Sequence, residues 1–207
     1  MIIAVDGPTA SGKGTIARSL AAHYGLPYLD TGLLYRAVGR QVFLDGGDPD
    51  EAGDALAGTA FPDALLADPS LRSEETGGLA SRVSIHPSVR QALYERQRKF
   101  AEQPGGAVLD GRDIATVIAP DADVKLFVTA SVEARAERRW KEMRESGIEV
   151  SLDDIAQDIR ARDERDANRA EAPLRVAEGA FVIDNSAMTR EQALAAAIEA
   201  VEAARRG

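Results

Sequence analysis

A three-layer α/β domain built on a parallel sheet is the fold class predicted by this 207-residue sequence. Three observations carry the prediction. Short apolar runs recur along the chain, separated by stretches of helical periodicity, the alternation that lays helices over a buried parallel sheet. The first run ends in a glycine-rich loop that opens a helix, at the carboxyl end of a strand, where α/β sheets take their ligands. The composition, 44% hydrophobic and 29% charged with no cysteine, suits one sizeable core made without disulfides or thiolate-bound metal.

The first strand is read at residues 2–5, from Ile2, Ile3, Ala4 and Val5. A helix starting at about Gly14 places Ile16, Ala17, Leu20 and Ala21 on one face and ends at Gly25, with Pro27 beyond it as a breaker. A short strand is expected at 27–29 and a helix at 33–44. Residues 45–84 are rich in Gly, Asp, Pro and Ala, with weak periodicity at Phe61, Leu65, Leu66 and Leu71, and read as an insertion on the domain's edge. Val89, Leu93, Gln97 and Phe100 mark the next helix. Further buried strands are expected at 107–109, 124–128 and 180–183. A highly charged helical region covers 132–169, broken at Gly147 and restarted by the cap pair Ser151 and Asp154. This is the candidate lid. Thr189 with Gln192 forms a capping-box pattern ahead of Leu194, Ile198 and Val201.

Between the first strand and its helix stands Gly7-Pro8-Thr9-Ala10-Ser11-Gly12-Lys13-Gly14-Thr15. Glycines let the backbone turn tightly and aim successive N–H groups inward, the helix N-terminus completes an anion cradle, and Lys13 reaches the β- and γ-phosphates. This is a P-loop, and all nine residues are expected to bind the phosphates of a nucleotide. The residue after Lys13 is Gly14, so the hydroxyl offered to Mg²⁺ is that of Thr15. A net charge of -9 argues against a general nucleic-acid binder and requires positive charge to be concentrated where the anion sits. Arg162, Arg165, Asp166 and Arg169, at i, i+3, i+4 and i+7, form an arginine face on one helix. Such a face suits phosphoryl transfer, because Arg grips phosphate with two parallel donors. With no stretch approaching a membrane span and a first strand starting at Ile2, no membrane contact and a cytoplasmic location are expected. His23 and His86 have no partner in sequence that would give them a role.

Four segments together resemble the bacterial cytidylate kinases of the nucleoside-monophosphate kinase group. The P-loop with Asp6 resembles the family's ATP loop, and Leu29-Asp30-Thr31-Gly32 with Tyr35-Arg36 its acceptor-phosphate segment. Asp110-Gly111-Arg112-Asp113 resembles its signature after the third strand, and Arg162 through Arg169 with Ala172-Pro173-Leu174 its lid. The resemblance implies a P-loop kinase fold with a five-stranded parallel sheet, an acceptor-binding segment at about 31–90 and a lid at about 142–169, within one kinase domain. It implies transfer of the γ-phosphoryl group of ATP to CMP or dCMP, with Mg²⁺, by a monomer. By position, Thr31, Arg36, Arg112 and Arg169 would hold the acceptor phosphate, Arg162 and Asp166 would reach the ribose, and Ser81, Arg90 and Asp113 would read the cytosine. Lys13, Arg112, Arg162 and Arg169 would supply the catalytic charge. Residues 58–78 depart from the family's longer insertion, so its extra strands are expected to be missing.

Other readings are a different small-acceptor P-loop kinase, such as adenylate or shikimate kinase, a GTPase-type switch and a silent ATP-binding adaptor. Asp110 to Asp113 and Tyr35-Arg36 argue against the first. The second lacks an Asn-Lys-x-Asp guanine motif.

Overall fold

The computed structural model describes residues 1–206 and orders five strands as β2-β3-β1-β4-β5. The central strand β1 (Ile2–Asp6) pairs in parallel with β3 (Ala107–Gly111) and β4 (Val124–Thr129), and β4 pairs in parallel with β5 (Phe181–Asp184). The expected strand at 27–29 is β2 (Tyr28–Asp30). Ile3, Val5, Val108, Val124, Leu126, Val128 and Ile183 share one core with two helices, α1 (Lys13–Tyr24) and α8 (Arg190–Ala204). Ala4 and Leu109 are fully buried as well, so both faces of the central strands are covered, as a parallel sheet requires.

Two strand expectations need correction. β4 alternates between buried Val124, Leu126 and Val128 and half-buried Lys125, Phe127 and Thr129, so one of its faces is only partly covered. β5 is an edge strand in which only Ile183 is buried. An apolar run alone does not distinguish a central strand from an edge.

The chain divides into two compact units, one made of Met1–Leu29 with the chain from Ala101 onward, the other of Asp30–Phe100. In the second unit, α2 (Thr31–Leu44) begins two residues earlier than expected, because Asp30 accepts the Leu33 amide as N-cap. The regular structure within residues 45–84 is all helical: α3 (Ala52–Ala57), three 3₁₀ turns, and α4 (Glu74–Val83), capped by Ser73. No strand lies in this stretch. The expected helix through Val89 and Leu93 is α5 (Pro87–Ala101). His86 has a packing role after all, its buried Nε2 lying 2.9 Å from the Pro49 carbonyl.

In the first unit, the charged region forms α6 (Val132–Glu145) and α7 (Leu152–Asn168), the latter capped by Ser151 on the Asp154 amide. They pack through Ala136, Ile155, Ala156 and Ile159, with Trp140 and Met143 alongside. The capping box at Thr189 and Gln192 forms in both directions.

Candidate active site

The P-loop takes the shape that its glycines permit. A β-carbon on Gly7 would lie 2.0 Å from the Val128 carbonyl oxygen of β4, so no other residue fits where the loop leaves the sheet. Gly12, at φ 82, is the N-cap of α1 and brings no side chain to its first turn, which leaves the opening amides to a ligand. Ala10 adopts φ 56, a left-handed conformation uncommon for alanine. Lys13 is the first residue of α1, and its charge is felt at the carboxyls of Asp6 and Asp166.

Three side chains that the sequence reading passed over hold this loop. Asn185 donates to the Ser11 carbonyl at 2.8 Å and is itself gripped by Arg138, which donates to its side-chain and main-chain oxygens at 2.8 and 2.5 Å. Arg135, buried in α6, donates to the Thr9 carbonyl at 3.1 Å and to the Ala130 carbonyl at 2.9 Å. The same guanidinium forms a bidentate pair with Asp163 of α7, at 2.9 and 2.5 Å. A lone Arg in a charged helix carries no sequence sign that it faces inward.

Beside the loop, a cavity of about 360 Å³ is lined by Gly12, Thr15, Arg138, Arg139, Asn185 and Thr189 among others. Thr15 is exposed. Asp110, at the end of β3, places Oδ2 3.5 Å from where a β-carbon on Gly14 would stand, while Oδ1 accepts the Tyr28 hydroxyl at 2.7 Å. A buried carboxylate therefore stands beside the start of α1 at Gly14.

The Arg112-Asp113 dipeptide follows directly on β3. Arg112 donates through Nε to Asp166 Oδ2 at 2.7 Å. Burial opposes the Arg112 charge, but Asp166, then Asp110 and Asp6, outweigh it and raise the pKa. Burial likewise pushes against ionised Asp166, and Arg112, Arg169 and Lys13 hold it below the usual carboxylate range. Both shifts favour the ionised pair. Asp113 is buried and caps a single π turn (Ile114–Ile118) that no periodicity announced, its carbonyl accepting the Val117 and Ile118 amides.

The arginine face forms only in part. α7 stops at Asn168, and Arg169 is extended at φ -63 and ψ 142, so it leaves the helical i+7 position. The reason is local: the Leu174 amide folds back on the Asp166 carbonyl at 2.8 Å, and Arg169 Nε donates to Ala172 O at 2.7 Å. Ala172 is left-handed, at φ 49. Arg165 is exposed. Arg162 has its pKa lowered by burial and then by the like charges of Arg112 and Arg165. Arg139 of α6 is lowered by burial, with Arg162 adding to the effect and Glu142 opposing it. Crowded cations of this kind are eased by an anion. Arg139 therefore joins the cluster.

Thr31, Arg36, Ser81 and Arg90 stand in the second unit. Thr31 is buried at the start of α2, and Arg36 donates to the Leu71 and Ser73 carbonyls, both at 2.8 Å. Arg90 lies over the Tyr35 ring, 5.7 Å from its centroid, and reaches the Ser84 carbonyl at 3.4 Å. Ser81 is half-buried on α4.

Asp6 closes β1 with a buried carboxylate that accepts the Ile114 and Ala115 amides at 2.9 and 2.8 Å. Burial outweighs these bonds and raises its pKa to about 6, with Asp113 adding to the rise and Lys13 opposing it. The fold thus favours the protonated form, so the stability this group contributes is fully present below about pH 4 and lost as pH rises through about 6. The thermal midpoint of the wild type minus that of Asp6→Asn is expected to fall between about pH 4 and pH 7. A difference that stays flat over that range would show an ordinary carboxyl.

A P-loop on a parallel sheet, with clustered arginines on the same unit, defines a phosphotransferase of the P-loop kinase class. A family model described as cytidylate kinase matches residues 3–203. The chain belongs to the cytidylate kinase family. It is 56% identical over 207 residues to a cytidylate kinase of Xanthobacter autotrophicus, with both chains fully covered. It is 53% identical to one of Caulobacter sp., over 99% of this chain and 95% of that one, and 54% identical to one of Rhodospirillum rubrum, over 96% of each. Among solved structures, an uncharacterized protein from Eubacterium ventriosum shares the fold, with a TM-score of 0.55 at 16% identity over 98% of each chain.

Proposed function

We propose that this chain phosphorylates CMP and dCMP with ATP through the residues described above. It is an ATP-dependent nucleoside-monophosphate kinase giving CDP or dCDP and ADP. The observation that supports the site assignment best is the P-loop with Lys13 on the unit that also holds the Arg112–Asp166 pair. The loop amides of residues 7–15 and Lys13 bind the donor phosphates, and the cavity beside them, within the roughly 300–1,000 Å³ range of ligand pockets, takes the donor base. Arg112, Arg162 and Arg169 stabilise charge on the phosphoryl group and the acceptor phosphate. The acceptor is already an anion, so positioning replaces a general base. Asp166 serves the ribose and Asp113 the base. The second unit contributes Thr31 and Arg36 for phosphate, and Ser81 and Arg90 for cytosine.

Mg²⁺ fits the residues present. Hard oxygen donors suit it: the Asp110 carboxylate, whose Oδ1 accepts the Tyr28 hydroxyl, stands beside Gly14, and the next residue, Thr15, carries a hydroxyl. When bound with ATP, it neutralises phosphate charge. No helix among the described residues is long and apolar enough to cross a membrane. The enzyme is taken to work as a cytoplasmic monomer, without nucleic acid. Turnover with CMP and dCMP in a coupled assay over a panel of monophosphates is the expected result. A folded protein that binds ATP yet does not turn over CMP would overturn the reading.

The lid at about 142–169 covers the last turn of α6 together with α7. Its crowded arginines lack phosphate until nucleotides bind, so hydrogen exchange there is expected to slow when CMP and a non-hydrolysable ATP analogue are both added. Unchanged protection, with both ligands shown to be bound, would count against a lid.

A further inference from the structure

We infer that Asp6 is a positioning residue for acceptor recognition, holding in place the turn that carries Arg112 and Asp113. The inference rests on the reading that these two residues bind the acceptor nucleotide. Asp6 ends β1 opposite Gly111 of β3, one residue before Arg112. Its two carboxylate oxygens take the amides of Ile114 and Ala115, the first two residues of the π turn.

In an ordinary helix start, the N-cap side chain takes the amide of the second or third residue, and here Ala115 is the second. Here Asp113 occupies the N-cap position, at φ -145, and its side chain makes no cap hydrogen bond. The capping task has passed to Asp6, on the neighbouring strand. A carboxylate at the N-cap normally bends back onto its own turn, where it is no use for reading a base. With Asp6 taking the Ile114 and Ala115 amides, the Asp113 side chain is not used as the cap of its own turn. Burying a carboxylate is costly, and a turn at the surface could have used water or its own cap. Asp6 also directly precedes Gly7, so the strand end that launches the donor loop anchors the acceptor turn as well.

Asp6→Asn replaces one acceptor oxygen with an NH₂ that must face an N–H, which shifts the turn while the strand stays paired. KM for CMP is expected to rise on the order of tenfold and the CMP to UMP preference to fall by a similar factor, while KM for ATP stays within about twofold. In an Asp113→Asn background, Asp6→Asn should add little further change in preference, since both act through one contact. Unchanged CMP parameters in the folded variant would overturn the inference, as would equal rises in both KM values. If Asp113→Asn alone leaves the base preference intact, the underlying reading fails. If Asp113→Asn shifts the preference and Asp6→Asn does not, only the role of Asp6 fails. Should Asp6→Asn not fold, Asp6→Glu, which keeps both acceptors on a longer stem, is measured in the same way. Failure of both to fold would show that Asp6 is needed for the fold itself and would overturn the inference.

Discussion

Lys13→Ala is expected to fold normally and to lose turnover by on the order of a hundredfold or more, from removal of about 3 kcal/mol of charge stabilisation on the migrating phosphoryl group. Lys13 stands half-buried at the first position of α1, outside the core formed by Ile16, Ala17 and Leu20. Its charge reaches Asp6 at the end of β1 and Asp166 of α7, so it stands near both carboxyls as well as in the P-loop. The loss should fall in kcat, because this cation matters most where charge develops. A coupled assay together with a thermal melt checks both halves of the expectation. A variant melting at the wild-type temperature with near-wild-type kcat would remove Lys13 from catalysis.

Asp113→Asn is expected to lower kcat/KM for CMP and to bring the CMP to UMP ratio towards one. Cytosine offers an N4 amino donor where uracil offers the O4 acceptor, so a carboxylate facing that edge attracts one base and repels the other. Asp113 is buried, where an acceptor meeting an acceptor costs roughly 2 to 4 kcal/mol in discrimination. An asparagine amide can turn to donate to O4. Were Asp113 only the cap of the π turn, both substrates would lose activity in proportion. Steady-state kinetics with CMP and UMP on the folded variant decide the matter, and an unchanged ratio would exclude base reading.

What the sequence discloses follows the range of the forces involved. β1, the P-loop and α1 are legible because the constraint is local: glycines where the backbone must turn, an apolar stripe behind them, and a C-terminal glycine. The caps at Ser151 and Thr189 were readable for the same reason. The π turn after Asp113 was not, since its first amides are satisfied by Asp6 from another strand. Likewise, Arg135, Arg138 and Asn185 hold the P-loop only through tertiary contacts, so spacing along the chain says nothing of them. The exposed β5 shows the opposite error, an apolar run whose position at the sheet edge leaves most of it uncovered. Asp110 was seen as part of a motif, but its role beside Gly14 needed the packing of β3 against α1.

Ala10 and Ala172 are the two non-glycine residues at positive φ among those described, and they stand in the P-loop and in the turn that holds Arg169. An alanine held left-handed costs roughly 1–2 kcal/mol relative to its relaxed backbone. Glycine would relieve that cost yet widen the set of shapes open to each segment before a nucleotide arrives. Alanine at these two places trades resting stability for a narrower ensemble, which reduces the entropy each segment gives up when a nucleotide arrives.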